Sequence, residues 1–276
     1  ATCNGSHLAA LEREVEAAFA GGFDALRAVD ELRLFQWMTK IHYGILFKEL
    51  SLYVDRKNPE LGSIINTDVL EEYQSLHAML QSVRLPFDFA SPTPWSVFVV
   101  RTHSYPGTDY DFDYHDGFIQ PTFAIRCGGV GLFAHLMDNG TQAAVTQDFW
   151  RQIHTMTLHP LQWEEIWVNV NDLANRMDRM PKGMVYVPDE ERLGEVPVQV
   201  SCMPIGGLSS KPVYLPEDRQ ARAEMLVELW NRHGLNLTLE KVFFPPRNIW
   251  TMVWREDGTP NHLDANGQRV DSPGVA

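Results

Sequence analysis

The chain has 276 residues, of which 44% are hydrophobic and 21% are charged, and its formal net charge is −13. That length allows one large domain or two ordinary ones, and the negative charge disfavours a broad electrostatic grip on nucleic acid or an anionic membrane. The three cysteines are too few for a disulfide framework and no apolar run reaches membrane-spanning length, so the composition predicts an acidic, soluble protein of the cytoplasm.

Residues 1–90 are predicted to be helical, because apolar residues recur there every three or four positions. The predicted helices run from Ser6 to the Gly21-Gly22 stop, over 29–52 and over 68–83. The second of these helices is apolar on most sides, which is typical of a helix at the centre of a domain. A proline-rich span then marks the boundary with the next part of the chain.

Residues 91–254 carry strand patterns mixed with helical ones. Strands are predicted over 96–103, 110–115, 122–127, 130–137, 183–187 and 196–203, and helices over 147–153, 160–177 and 216–233. A helical N-terminal part followed by a mostly antiparallel sheet with flanking helices predicts an α+β fold, in which both parts form one unit. The polar segment 255–276 is predicted to be a disordered tail.

The first residues of the chain carry a partial motif. Cys3 is followed by Asn4 and then by the first predicted helix, which contains Leu11-Glu12. This arrangement resembles the last part of HNH-type (His-Me finger) endonuclease modules, in which a C-x-x-C-N unit closes a metal-binding β-β-α element. The resemblance to such bacterial proteins covers about a dozen residues and half of the motif.

The resemblance implies that the thiolate of Cys3 helps to hold a structural zinc ion, with Asn4 as a remnant of the motif. It also implies that the first cysteine of the pair and the catalytic histidine precede Ala1, so it assigns no catalytic residue to this chain. The chain would then be the C-terminal accessory or recognition body of an HNH-like, metal-dependent nuclease-related protein, which contacts nucleic acid through the upstream module. The alternative is a non-enzymatic intracellular binding or scaffold module that contacts another protein, with Cys3 as an ordinary thiol.

An acidic stretch in the sheet part is the most unusual local pattern. On a strand, alternate side chains share a face, and one face would then hold Asp109, Asp111, Asp113 and His115. Carboxylates and an imidazole in a row suit a divalent metal ion or acid-base chemistry. Neighbours on one strand face lie roughly 6–7 Å apart, however, so a single strand chelates poorly. The sequence therefore favours a solvated polar face, with Tyr110, Phe112 and Tyr114 packed inward.

Two further patterns have a functional and a structural interpretation. The loop after the last predicted strand is a candidate anion or partner contact through Gly206, Gly207, Ser209, Ser210 and Lys211. Backbone N–H groups of such a loop can cradle an anion, although an ordinary connecting loop has the same composition. Glu164 and Glu165 follow the predicted start of a helix, and they are interpreted as stabilising its N-terminal dipole.

Overall fold

The computed structural model describes residues 4–63, 65–179, 183–202, 212–244 and 248–271. Its helices are α1 (Ala9–Ala20), α2 (Phe23–Arg27), α3 (Glu31–Leu50), α4 (Asp68–Glu72), α5 (Gln74–Leu80), α6 (Thr141–Val145), α7 (Gln147–Ile153), α8 (Pro160–Asn175), α9 (Arg219–Arg232) and α10 (Leu239–Val242). Its strands are β1 (Phe87–Phe89), β2 (Ser96–Thr102), β3 (Phe112–Gly117), β4 (Thr122–Cys127), β5 (Val130–His135), β6 (Thr157–Leu158), β7 (Met177–Arg179), β8 (Gly183–Tyr186), β9 (Val198–Cys202), β10 (Val213–Tyr214), β11 (Phe243–Phe244) and β12 (Asn248–Ile249). This order of elements confirms the α+β fold and its helical N-terminal part.

The central sheet has five strands in the order β3-β4-β5-β2-β6. Its neighbouring strands are antiparallel, except that β6 runs parallel to β2. Alternate residues of a strand point to opposite faces, and along β4 Phe123 and Ile125 join one buried cluster whereas Ala124 joins another. The N-terminal helices cover the first face and helices α8 and α9 cover the second. Polar residues of the sheet can therefore meet polar residues of α8.

Helix α3 is the main element on the first face, as its apolar pattern predicts. The side chain of Asp30 accepts a hydrogen bond from Leu32 N at 2.9 Å and caps the start of the helix. Phe35 is fully buried and stacks on Trp95, with 4.0 Å between the ring centroids. Such an aromatic pair fixes the helix against the start of β2, since stacked rings contribute about 1 kcal/mol beyond their buried area.

Helix α8 begins at a reciprocal cap. His159 Nδ1 accepts a hydrogen bond from Leu161 N at 3.3 Å, and the side chain of Gln162 accepts one from His159 N at 3.0 Å. Pro160 occupies the first helical position, where its missing N–H costs nothing. Twelve of the sixteen residues of α8 are buried, so the helix encloses polar side chains of its first turns that would otherwise be hydrated.

The segment that follows Trp254 is ordered, in contrast to the predicted disordered tail. Asn261, His262 and Leu263 are at most 8% exposed. Gln162 Nε2 donates to Asn261 O at 2.6 Å, and His103 Nε2 donates to Leu263 O at 2.9 Å. The prediction fails over 255–271 because side chains of distant elements satisfy this polar backbone, and composition does not reveal such partners. Residues 272–276 of the predicted tail lie outside the described residues.

A smaller sheet packs beside the N-terminal helices. Its order is β1-β9-β8, with β1 parallel to β9 and β8 antiparallel to it. The strand at its free edge, β8, is exposed along its whole length. Within the described ranges, every helix is too short or too polar to cross a membrane.

Replacing Gly131 by Ala should lower the free energy of unfolding by about 1–3 kcal/mol, the usual cost of overpacking a tight core. A Cβ atom at this position of β5 would lie 2.9 Å from Trp163 Nε1 and 3.2 Å from Val100 Cγ2. Gly129→Ala is the matched control, because its Cβ would meet Thr102 O at an ordinary 3.7 Å. Urea unfolding of both variants checks the prediction, and equal stabilities would contradict the close approach of β5 to Trp163.

Candidate metal centre

Strand β3 turns its polar residues inward, towards α8. Asp113 and His115 are partly buried, whereas Tyr110, Phe112 and Tyr114 are 41%, 54% and 43% exposed. The interpretation of a solvated polar face above inward aromatic rings is therefore wrong. The inward arrangement is stable because helices α8 and α9 supply hydrogen-bonding partners on that side, and such partners offset the cost of burying polar groups.

Asp109 and Asp111 lie outside this inward face. They belong to a 3₁₀ turn that precedes β3, so the alternation of a strand does not apply to them. The Oδ1 atom of Asp111 accepts hydrogen bonds from Tyr105 N at 2.8 Å and from Ser104 Oγ at 3.1 Å, and Asp109 is exposed. The predicted row of four residues thus divides, and it is Asp113 and His115 that approach α8.

A buried carboxylate connects three elements of the fold. Glu164 of α8 is 2% exposed, and its Oε2 atom accepts a hydrogen bond from His115 Nε2 at 2.5 Å. Its Oε1 atom accepts a second hydrogen bond, from His233 Nε2 at 3.0 Å. His233 is the residue that follows α9. The carboxylate therefore joins β3, α8 and the end of α9 through hydrogen bonds that are strong when the imidazoles are charged.

Asp113, His115 and Glu164 converge closely enough to hold a metal ion. One ligand atom from each of them lies within 4.8 Å of the other two. The strand supplies two neighbours of one face, and α8 supplies the third ligand from the opposite side. A strand alone chelates a metal ion poorly, because neighbours on one of its faces are too far apart, but the ligand from α8 completes the cluster. Two carboxylate oxygens and one imidazole nitrogen are a ligand set that divalent transition metals accept in proteins.

The charges of the cluster favour a cation. Burial by itself would raise the pKa of Glu164, but the hydrogen bonds and charges of His115 and His233 bring it down to about 2. Burial raises the pKa of Asp113, and the negative charge of Glu164 raises it further. Two carboxyl groups this close oppose each other's ionisation. A cation between them would stabilise both charged forms.

Arg126 supplies a fixed positive charge next to the cluster. It is paired with Asp113 in the β3–β4 ladder, and it is 1% exposed. Its guanidinium donates a hydrogen bond to Tyr110 O and lies 5.6 Å from the centroid of the Trp163 ring. Burial lowers the pKa of Arg126, whereas the charges of Asp113 and Glu164 raise it. The charge of Arg126 balances one of the two carboxylates of Asp113 and Glu164. A bound cation or a protonated imidazole would balance the other.

Aromatic rings fix the imidazole of His115. Its centroid lies 5.1 Å from the ring of Trp163 and 5.5 Å from the ring of Trp167, and both pairs are nearly parallel. A cavity of ≈ 380 Å³ opens beside His115, with Tyr114 and Asp116 in its walls. The rings restrict the orientation of the imidazole, and the cavity gives a small ligand access to that side of the cluster.

Glu165 has a structural arrangement of its own. Its carboxylate accepts hydrogen bonds from the Thr251 hydroxyl, from Met252 N at 2.6 Å and from Val253 N at 3.2 Å. Glu164 and Glu165 are therefore both partners of distant side chains or backbone. Their interpretation as dipole-stabilising residues misses these contacts.

The remaining predicted site residues are not part of this cluster as far as the structure describes them. Cys3 and the loop residues Gly206, Gly207, Ser209, Ser210 and Lys211 lie outside the described residues. Asn4 begins the π-helical turn at Asn4–Leu8. The HNH resemblance and the anion loop therefore stay predictions.

No local pattern in the sequence indicates Glu164 and His233 as members of the site that contains His115. They lie 49 positions after His115 and 69 positions after Glu164, respectively. A folding pattern that brings α8 across the sheet is needed to join them. The inward-facing Asp-x-His pair of β3 is the part of the site that the strand pattern does indicate.

Comparisons with family models, with curated proteins and with solved structures found no match for this chain.

Proposed function

We propose that this protein binds a divalent transition-metal ion through Asp113, His115 and Glu164. The observation that carries the proposal is the convergence of three ligand atoms within 4.8 Å, from a strand and from the helix packed against it. The residues are partly or fully buried. Exposed acidic groups often cluster without binding a metal, whereas a buried mixed cluster needs a partner for its negative charge.

The ligand set favours zinc or a metal of similar chemistry. Imidazole suits zinc, iron, copper and nickel, whereas all-oxygen sites suit magnesium and calcium. Catalytic zinc sites have three protein ligands and leave a fourth position to water or substrate, whereas structural sites use four. The described cluster offers three ligands. A bound ion could then present an activated water molecule to a small substrate in the cavity beside His115.

Metal binding requires a change at the hydrogen bond between His115 and Glu164. The Nε2 atom of His115 and the Oε2 atom of Glu164 are 2.5 Å apart and share a proton. Ligand atoms at tetrahedral angles around zinc are about 3.3 Å apart, given bonds of about 2.0–2.1 Å. The ion would displace the shared proton and separate these two atoms by less than about 1 Å. His233 would keep its hydrogen bond to the other oxygen of Glu164 and hold the ligand in place.

Metal titration of the chelator-treated chain tests the proposal. We expect one Zn²⁺ ion per chain by calorimetry and elemental analysis after dialysis, with proton release because the ligands must be deprotonated. Co²⁺ should bind at the same site and give visible absorption bands. Asp113→Asn and Glu164→Gln should abolish this saturable binding. His233→Gln should weaken it about 10–100-fold, the typical effect of removing a group that orients a ligand.

Two control variants separate this site from the other predicted ones. Asp109→Asn removes an exposed carboxylate of the same acidic stretch and should leave metal affinity unchanged. Cys3→Ser tests the zinc ligand that the HNH resemblance implies. Full metal binding by Asp113→Asn, together with its loss in Cys3→Ser, would refute our proposal and favour that resemblance.

An accessory body of an HNH-like nuclease-related protein and a non-enzymatic binding module both stay hypotheses. A bound metal with an open coordination position would favour an enzyme over a scaffold.

A further inference from the structure

A second cavity lies between α5 and the small sheet β1-β9-β8. Its volume is ≈ 480 Å³, which falls in the usual range of small-molecule sites, about 300–1,000 Å³. Met79 of α5 forms one wall, and Phe87, Val185 and Val200 of the sheet form the other. The cavity shares no lining residue with Asp113, His115 or Glu164.

The walls of this cavity are mostly apolar. Among the described residues that line it there is no Asp, Glu, Lys, Arg or His. The whole chain, by contrast, has 36 Asp or Glu residues and 23 Lys or Arg residues. A charged ligand would lose its hydration here without gaining an opposite charge, and that loss is costly. The walls therefore select against ions.

Two polar side chains of the cavity wall, those of Cys202 and Asn139, lie next to each other. Cys202 donates a hydrogen bond from its thiol to Asn139 Oδ1 at 3.2 Å. Burial raises the pKa of Cys202 to about 11, so the thiol stays a neutral donor. Asn139 has a φ of 52°, a backbone conformation that L side chains rarely adopt. The fold thus holds a carboxamide and a thiol at a fixed place in the cavity wall, where the other polar side chains among the described lining residues are Ser75 and Gln81.

The rim of the cavity exposes apolar side chains. Val185 and Val187 are 61% and 60% exposed, and Leu193 is 43% exposed. All three line the cavity. Contiguous exposed apolar surface around a concavity marks a binding site more often than a scattered apolar residue does. A ligand in the cavity would remove part of this surface from water.

We propose that this cavity binds an uncharged, largely aliphatic small molecule that carries one hydrogen-bonding group. The apolar walls between α5 and the sheet hold the aliphatic part. The hydroxyl or carbonyl group of the ligand lies beside Asn139 and Cys202. A concave site of this volume suits a small molecule better than a flat protein surface.

Calorimetry with eight-carbon probes tests the proposal on the full chain. 1-Octanol should bind saturably with one site per chain. Octanoate and octylammonium should bind at least about tenfold more weakly at pH 7, because each brings an unpaired charge into the cavity. 1-Hexanol should bind about fifteenfold more weakly than 1-octanol, since each buried methylene contributes about a factor of four. Absence of saturable octanol binding, or equal binding of octanoate, would overturn the proposal.

A pair of variants locates the bound probe. Ala78→Phe places a large ring at an exposed position of α5 that lines the cavity, so it should fill the site without disturbing the core. Ala10→Phe makes the same change at an exposed position of α1 and is the control. We expect at least about a tenfold loss of octanol affinity in Ala78→Phe alone, the result of lost apolar contact. Equal affinities in the two variants would show that octanol binds elsewhere and would refute the assignment.

Discussion

Replacing Glu164 by Ala should lower the free energy of unfolding by about 3–5 kcal/mol, the typical cost of breaking a buried ion pair by removing one partner. The carboxylate accepts hydrogen bonds from His115 at 2.5 Å and from His233 at 3.0 Å. Both imidazoles are mostly buried, with 11% of each side chain exposed. Without Glu164, two ring nitrogens of mostly buried imidazoles lose their acceptor.

Chemical denaturation of the metal-free chain measures this loss without any contribution from metal binding. Glu164→Gln should cost less than Glu164→Ala, because the amide keeps the shape of the side chain and one oxygen acceptor. The control is Glu16→Ala, at an exposed position of α1, which should change stability by no more than about 0.5 kcal/mol. A loss below about 1 kcal/mol in Glu164→Ala would contradict a formed network, because a typical hydrogen bond alone contributes that much.

A double-mutant cycle measures the interaction free energy between Glu164 and His233. Glu164→Gln and His233→Gln should be non-additive by about 0.5–3 kcal/mol, as expected for residues in direct contact. His233 follows α9 and also stacks on Tyr110, with 5.4 Å between the ring centroids. Coupling of this size would show that the end of α9 and the turn before β3 are held through the candidate metal centre. Additive effects would mean that His233 and Glu164 stabilise the fold independently.

The sequence predicts the elements of this fold better than it predicts their faces. Helix α3 and the hairpin of β4 and β5 follow from local periodicity and from the glycines after Cys127. The strand pattern places the aromatic residues of β3 inside, because large rings usually carry much of the packing, and this assignment is wrong. The polar face of β3 lies inside because Arg126, Glu164 and His233 supply charges and hydrogen-bonding groups on that side. These three residues come from β4, from α8 and from the end of α9.

The sequence likewise indicates some residues of the candidate site and not others. Asp113 and His115 are visible in the sequence as alternate residues of one strand, whereas Glu164 belongs to a helix 49 residues further on. Acidic residues are common near helix N-termini, where they stabilise the helix dipole. The position of Glu164 in the sequence therefore does not indicate its contacts with His115 and His233. The order of the segment 255–271 has no local signal in the sequence for a related reason, because Gln162 and His103 bind its backbone from distant elements.

Acid should destabilise the protein through two buried histidines. Burial lowers the pKa of His42 to about 4 and that of His135 to about 3. In the unfolded chain a histidine has a pKa of about 6.5. Between these values the unfolded state binds more protons than the folded state, so stability falls as the pH falls. The geometry agrees, because both side chains are fully buried and each has one ring nitrogen without a partner among the described residues.

The raised pKa of Asp138 makes the protein more stable as the pH falls, which opposes the effect of the two histidines. The effect of one histidine is therefore measured as the difference in the free energy of unfolding between a variant and the wild type. Burial raises the pKa of Asp138 to about 7 against hydrogen bonds from Ser96, Gln142 and Gly140. Its folded form therefore gains a proton as the pH falls below 7, and this gain stabilises the protein. Asp138 is present in every variant, so its contribution cancels when His42→Gln is compared with the wild type at each pH.

The stability of His42→Gln relative to wild type should improve by about 3 kcal/mol between pH 7 and pH 4, since each unit of pKa shift corresponds to about 1.4 kcal/mol. Gln can keep the donor to Gly117 O, which lies 3.3 Å from His42 Nε2, and it does not titrate. Thr39→Val is the control, because Thr39 is equally buried on α3 and carries no titratable group. Its stability difference should stay constant with pH. Parallel pH profiles for His42→Gln and wild type would mean that His42 is protonated inside the folded protein, which a fully enclosed imidazole beside Tyr73 and Phe123 does not permit.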